Sequence, residues 1–180
     1  NQGMSLEEFK SIFWLEYYHR LLGRGIGIVF LLPFLYFAIR GRIHNAQLPK
    51  YIGMFVLGGL QGALGWYMVK SGLVDNPHVS PYRLTAHLAL AFAIYGYMFW
   101  VALGLLSPRP QHQGGSAVRR LSLYSLGVTT LIFIMILSGG FVAGLKSGPA
   151  CNTFPTMNGH WLPPGLYALR PLWHNFFENL

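Results

Sequence analysis

Four long apolar runs constrain the fold of this chain more than any other feature. Each is long enough, as an α-helix, to cross the hydrocarbon layer of a membrane, which is about 30 Å thick. Only 10% of the residues are charged, well under half of the roughly 25% in ordinary soluble domains. We therefore predict an all-α, multi-pass transmembrane four-helix bundle, with spans at about 6–39, 51–69, 82–106 and 121–145.

The ends of the apolar region carry their own signals. Ser5, followed three residues later by Glu8, is typical of a capping box and predicts a helix that begins near Leu6, outside the bilayer. Pro33 is compatible with a membrane helix, because neighbouring helices can satisfy the carbonyl that it frees. After the fourth run the chain is rich in Pro, Gly, Asn and Trp. Residues 146–180 are therefore predicted to form an outer interfacial loop that leads to a further span.

The net charge of +8 is distributed in a way that predicts topology rather than nucleic-acid binding. The basic residues lie in short loops between the apolar runs and not on one continuous face. The loops after the first and third runs contain no acidic residue. Their basic residues are Arg40, Arg42, Lys50, Arg109, Arg119 and Arg120. By the positive-inside rule both loops face the inside, and the N-terminus and the tail face the outside. An outer aromatic belt is expected from Trp14, Trp66, Trp161 and Trp173.

Small residues and a single thiol limit what can hold the bundle together. Pairs of glycines four residues apart occur in three runs and predict close approach between helices. These pairs are Gly23/Gly27, Gly58/Gly62 and Gly140/Gly144. Cys151 is the only cysteine, so an internal disulfide and a paired-thiol metal site are both excluded within this chain.

Ionisable residues inside the first run are the strongest functional signal. Glu16, His19, Arg20 and Arg24 occur within a long apolar helix, and ionisable groups at membrane depth usually face a bundle interior or a polar ligand. Glu16 and His19 are three residues apart and therefore share a helix face. Gly23 follows on that face and leaves a flat hollow beside the imidazole. Such a hollow suits a broad planar ligand.

Two histidines are predicted to lie at one depth. Of the seven histidines, only His19 and His87 fall within predicted spans, each about the same number of residues from the inner end of its span. At about 1.5 Å per residue they lie within one turn of the same level, near the outer side. Two such imidazoles can bind a haem iron from opposite sides of the macrocycle. The alternative is that each histidine bonds only a carbonyl or Glu16 within the bundle.

Basic residues accompany this histidine pair. Arg83 is one turn outward of His87, while Arg20 and Arg24 flank His19, and guanidinium groups pair well with carboxylates such as haem propionates. Their alternative role is to extend toward lipid headgroups. Glu16 has three candidate roles: partner of an arginine, acceptor for an imidazole N–H, or proton donor and acceptor beside a bound macrocycle.

The motifs that carry this chemistry resemble those of a known family. The chain closely resembles the haem A synthases, in the branch of mitochondria and many bacteria that lacks paired loop cysteines. The resemblance covers essentially the whole chain, and its motifs lie at 16–20, 62–73, 80–88, 138–145 and 152–157.

The resemblance implies an oxidoreductase that converts a methyl group of haem O to the formyl group of haem A, for assembly of terminal oxidases. His19 and His87 match one histidine pair of the family, and Glu16 matches its acidic residue. Family members have eight spans in two similar halves, so this chain is expected to be a fragment that covers spans two to five. Haem O is then the substrate bound here, and haem b is expected in the other half.

Further expectations follow from the same resemblance. The protein is expected in the bacterial cytoplasmic membrane or the mitochondrial inner membrane. Its expected partners are membrane lipids, an electron donor such as a ferredoxin, haem O synthase and a second copy of the chain, with no nucleic acid. A bis-histidine iron leaves no open position for oxygen. Either one histidine must therefore leave, or electrons are removed and water attacks the methyl carbon.

Two other functions remain open from sequence. One is a bis-histidine b-type membrane cytochrome, which carries electrons and does no chemistry on the porphyrin. The other is a haem-free assembly scaffold. Glu16 favours the synthase over the cytochrome, because an electron carrier has little use for a carboxylate one turn from its iron ligand.

Overall fold

The computed structural model describes residues 5–72, 80–107, 115–145, 153, 156–162, 165 and 167–172. Within these residues the chain forms four helices: α1 (Leu6–Ile39), α2 (Leu48–Gly72), α3 (Pro81–Leu106) and α4 (Ser116–Gly144). All four are long and apolar enough to cross a membrane. The predicted all-α, multi-pass transmembrane fold is therefore confirmed, and the chain is an integral membrane protein.

Helix α1 begins where its capping residues dictate. Glu8 N donates to Ser5 Oγ at 3.2 Å, and Ser5 N donates to Glu8 Oε2 at 2.9 Å, so the predicted capping box is present. The helix continues through Pro33 for 34 residues. At about 1.5 Å per residue it is roughly 50 Å long, which exceeds the hydrocarbon thickness, so part of α1 extends beyond the membrane core.

The helix ends differ from the predicted spans by a few residues. Helix α1 has the predicted bounds, whereas α2 begins at Leu48 and α4 begins at Ser116, both before the apolar run starts. Backbone hydrogen bonding continues into polar residues at the membrane surface, where hydropathy no longer marks the helix. The division into a bundle at 1–145 and an outer loop at 146–180 stays a prediction. Cys151 and Trp173 lie outside the described residues.

The described part of the tail contains a tight turn. Met157 N donates to His160 O at 2.7 Å, and His160 N donates to Met157 O at 3.1 Å. Between them Asn158 and Gly159 have φ angles of 53° and 87°, the left-handed conformation that a two-residue hairpin turn requires. Thr153 Oγ1 accepts from Asn158 N at 2.8 Å. The turn is therefore held by local hydrogen bonds.

Each helix packs against the next one along the chain: α1 on α2, α2 on α3 and α3 on α4. The α3–α4 contact depends on a glycine pair. A Cβ added to Gly140 would lie 3.0 Å from Thr85 Oγ1, and one added to Gly144 would lie 2.7 Å from Pro81 Cα. The close approach predicted for Gly140/Gly144 is therefore confirmed.

The other two glycine pairs make no close contact with another helix among the described residues. A Cβ added to any of Gly23, Gly27, Gly58 or Gly62 would meet no described atom within 4 Å. The prediction that these pairs bring helices together is thus wrong for the described residues. Small residues permit close approach but do not enforce it. Open space remains beside α1 and α2 instead.

Candidate functional site

The ionisable residues of α1 divide into a pair and two separate side chains. Arg20 Nη2 lies 3.5 Å from Glu16 Oε2, and the two side chains are 45% and 58% exposed. One of the roles anticipated for Glu16, as partner of an arginine, is thus present. His19 is exposed on the same helix. Arg24, one turn further along, is also exposed and forms no salt bridge with any described residue.

The His87 imidazole is held on α3 against the backbone of α2. A Cβ added to Gly65 would lie 3.1 Å from His87 Cε1, 3.7 Å from Nδ1 and 3.8 Å from Nε2. The absence of a side chain at Gly65 therefore makes room for the ring. This contact fixes where the imidazole can lie between the two helices.

Gln61, one turn before Gly65 on α2, makes two contacts with His87. Its Nε2 donates to the backbone oxygen of His87 at 3.0 Å and lies 3.2 Å from His87 Nε2. Gln61 Oε1 and His87 Nδ1 are buried and have no hydrogen-bond partner among the described residues. A buried polar group left unpaired costs about 1–3 kcal/mol. The polar surroundings of His87 are therefore incomplete in the protein chain by itself.

Cationic side chains lie over aromatic rings near the C-terminal end of α2 and the N-terminal end of α3. The Arg83 guanidinium is 4.8 Å from the centre of the Tyr67 ring, which joins α3 to α2 one turn before His87. Lys70 lies 4.7 Å from the centre of the Trp66 ring. Both contacts hold a positive charge against an aromatic ring.

The two predicted iron ligands lie within range of an electrostatic interaction, on helices that are not neighbours in the chain. His19 on α1 and His87 on α3 lie close enough for their charges to interact, although α1 and α3 are separated in sequence by α2. Among the described residues no cluster of three or more His, Cys, Asp and Glu could hold a metal ion. A haem iron needs only two protein ligands, because the porphyrin supplies the others.

The residues around this pair fit a haem. Gly23 leaves open space on the His19 face of α1, and Gly58 and Gly62 leave open space on α2. Two imidazoles supply the donor atoms that haem iron accepts. The unpartnered polar atoms next to His87 are further consistent with a ligand that completes this site.

The structure therefore groups the predicted site residues in part. His19 interacts electrostatically with His87, and Arg83 is one turn from His87. Glu16 pairs with Arg20, whereas Arg24 forms no salt bridge with any described acidic group. Sequence reasoning missed Gln61 and Gly65. A usable signal was present, since Gln61 is a lone amide within an apolar run and Gly65 is one helical turn away on the same face.

Comparison with known proteins gives a match along the whole chain. The family model COX15-CtaA, described as cytochrome oxidase assembly protein, matches residues 1–180. The heme A synthases of Nitrosospira multiformis and Nitrosomonas eutropha are 60% and 55% identical, each over 100% of this chain and 51% of its own length. Heme A synthase COX15 of Arabidopsis thaliana is 47% identical over 99% of this chain and 41% of its own length.

The chain thus spans about half the length of the curated relatives that it matches. No solved structure matches it. The relatives include bacterial proteins and a plant protein, so the similarity reaches across both groups that the sequence motifs indicated.

Proposed function

This chain belongs to the COX15-CtaA family of cytochrome oxidase assembly proteins, and on that premise we propose that it forms one haem-binding half of a haem A synthase. The match of essentially the whole chain to about half the length of proteins named heme A synthase carries this proposal. The proximity of His19 and His87 supports it. The substrate of this half is haem O, and the reaction converts one of its methyl groups to a formyl group.

Within this proposal His19 and His87 would hold the substrate haem through its iron. They lie on α1 and α3, each of which packs against α2. Gly23 leaves room for the porphyrin plane on the His19 side. The bound haem supplies the redox-active iron and the conjugated ring that carries the reacting methyl group.

Arg83 is the residue that we assign to a propionate of the substrate. It lies one turn from His87, toward the outer end of α3, and its guanidinium is held over the Tyr67 ring. A guanidinium can bind a carboxylate through two parallel hydrogen bonds while its flat face remains on an aromatic ring. Arg20 and Arg24 are assigned as additional partners of the propionates.

Glu16 is assigned to proton transfer. Conversion of a methyl group to a formyl group takes two hydrogens from the carbon and adds one oxygen atom. With water as the source of that oxygen, electrons and protons leave together and dioxygen is the oxidant that accepts the electrons, so a base is needed beside the reacting edge. Glu16 is one turn from His19, and its side chain is 58% exposed. The Arg20 guanidinium contacts Oε2 of the carboxylate, which leaves Oε1 to accept a proton.

The whole enzyme includes components outside this chain. They are a second haem site that holds haem b, an electron donor such as a ferredoxin, haem O synthase as the supplier of substrate, and a second copy of the protein. A b-type cytochrome is not favoured as an alternative, because the relatives are named heme A synthases.

Extraction of the pigment from the purified full-length protein tests this function. We expect hydroxylated or formylated haem, identified by mass spectrometry and by the pyridine haemochrome spectrum. Unmodified haem b alone would indicate an electron carrier. A protein that inserts in the membrane but yields no pigment would indicate a scaffold.

A further inference from the structure

We propose that Gln61 is a positioning residue for His87, and that its amide holds the imidazole in the tautomer that can bind iron through Nε2. The inference rests on the proposed function, because it takes His87 to be a haem ligand. It adds a residue on α2 to a site whose predicted members all lie on α1 and α3.

The backbone of α3 fixes the orientation of the Gln61 amide. One terminal atom of the Gln61 side chain lies 3.0 Å from the backbone carbonyl oxygen of His87. That atom must be the donor nitrogen, because a carbonyl oxygen can only accept. The NH₂ group of Gln61 therefore faces His87. The reverse orientation would place two acceptor oxygens against each other.

The tautomer of His87 follows from this orientation. The same NH₂ group lies 3.2 Å from His87 Nε2, so a hydrogen on Nε2 would set two donors against each other. Nε2 must then accept, and a neutral ring carries its hydrogen on Nδ1. This is the form in which the Nε2 lone pair is available to a metal ion.

The amide N–H of Gln61 and a haem iron would use the same lone pair. Gln61 is thus a temporary partner of Nε2, which the iron replaces when haem binds. The second hydrogen bond, to the His87 backbone oxygen, does not involve the lone pair and can persist. Gly65, on the same face of α2 as Gln61, also limits the ring, since a Cβ at this position would lie 3.1 Å from Cε1.

Two unpartnered atoms support the same assignment. A ligand histidine commonly donates its second ring N–H to an acceptor, which fixes both tautomer and orientation. His87 Nδ1 is a buried donor without a partner, and Gln61 Oε1 is a buried acceptor without a partner among the described residues. With the Gln61 NH₂ group on Nε2, the Nδ1 hydrogen is left for an acceptor other than Gln61, as the second ring N–H of a ligand histidine requires.

The test compares Gln61→Leu with Tyr97→Phe in the full-length protein purified with its haem. Leu has a side chain of similar size but lacks the amide, so both hydrogen bonds to His87 are lost. Tyr97→Phe is the matched control, because Tyr97 OH donates to the Lys50 backbone oxygen at 3.3 Å and so also joins α3 to α2, away from His87. The measurements are haem affinity, by transfer to a haem scavenger, and the electron paramagnetic resonance spectrum of the ferric low-spin haem.

A third variant, His87→Ala, identifies which haem signal belongs to this site. In Gln61→Leu we expect that signal to have shifted g-values and the affinity to fall about 10- to 100-fold, the range found when partners of metal-binding histidines are removed. Tyr97→Phe should match the wild type in both measurements. Wild-type g-values and affinity in Gln61→Leu, or an increased affinity, would overturn the role of Gln61.

The outcomes separate this inference from the proposed function. If His87→Ala leaves every haem signal unchanged, His87 is not a ligand, and both the ligand assignment and the inference are wrong. If His87→Ala removes a signal that Gln61→Leu leaves intact, only the inference is wrong. Gln61→Asn is the second variant should Gln61→Leu not fold. It keeps the amide but shortens its reach, and it should shift the same signal.

Discussion

The imidazole of His87 lies directly against Gly65, so that a single methyl group at position 65 would stand 3.1 Å from Cε1 of the ring. This is tighter than ordinary van der Waals contact. The ring of a proposed iron ligand is thus positioned by the absence of a side chain on the neighbouring helix.

Gly65→Ala should displace the His87 ring and weaken haem binding by about 10-fold, because the ligand then leaves its preferred geometry. Gly59→Ala is the control: it lies on the same helix, and its Cβ would meet no described atom within 4 Å. Both changes raise helix propensity by about 1 kcal/mol. Haem affinity measured on both variants isolates the contact, and equal affinities would show that the ring is not constrained by Gly65.

His19→Ala should abolish haem A formation without preventing membrane insertion. The change removes an iron ligand, and it leaves the apolar run that directs insertion intact. Haem A per mole of membrane-inserted protein is the quantity to measure. A normal yield would remove His19 from the ligand pair.

Glu16→Gln separates proton transfer from pairing with Arg20. Gln keeps the size and a hydrogen-bond acceptor for Arg20 but cannot take up a proton at neutral pH. We expect near-normal binding of haem O and conversion slower by about 10² to 10⁴.

Arg20→Gln is the comparison variant, because it removes the other partner of the 3.5 Å ion pair. Since Arg20 is also assigned to the propionates, its haem occupancy should fall in any case, and the rate per bound haem is the informative quantity. If Glu16 acts only through this pair, both variants should lose haem occupancy and convert the bound haem at the wild-type rate. Conversion per bound haem, measured on the same preparations, distinguishes the two roles. Wild-type turnover in Glu16→Gln would exclude a catalytic carboxylate.

The predicted topology can be measured with an impermeant thiol reagent. In a background without other cysteines, cysteines at Asn45 and Gln113 should resist labelling from outside sealed membranes, because the basic loops are predicted to face the inside. Asn45 is exposed in the structure, whereas Gln113 lies outside the described residues. A separate variant that keeps Cys151, in the predicted outer tail, as its single cysteine serves as the outside reference. Ready labelling at both inner positions would reverse the orientation.

The α3–α4 contact gives a prediction about stability. Gly144→Ala would place a Cβ 2.7 Å from Pro81 Cα, so the helices must separate, at a cost of about 1–3 kcal/mol for overpacking. Gly139→Ala, with no described atom within 4 Å of its Cβ, is the control on the same helix. Thermal unfolding in detergent should show a lower midpoint for Gly144→Ala alone.

The four described membrane-spanning helices and the start of α1 follow from the sequence alone. These properties depend on neighbours along the chain: hydropathy over about 20 residues defines a span, and Ser5 and Glu8 cap α1 through contacts three residues apart. That His19 and His87 lie at one level stays a prediction from the constant rise per residue.

Which helix faces meet is evident from the tertiary structure and not from the sequence. Gly140 and Gly144 lie at a helix contact, whereas the other two glycine pairs do not. Glu16 pairs with Arg20, and Gln61 and Gly65 lie against His87. The physical reason is that lipid is as apolar as a helix surface, so hydrophobicity does not distinguish a face that packs on protein from one that faces lipid. The orientation of each helix depends on shape and on a few polar contacts with residues distant in sequence.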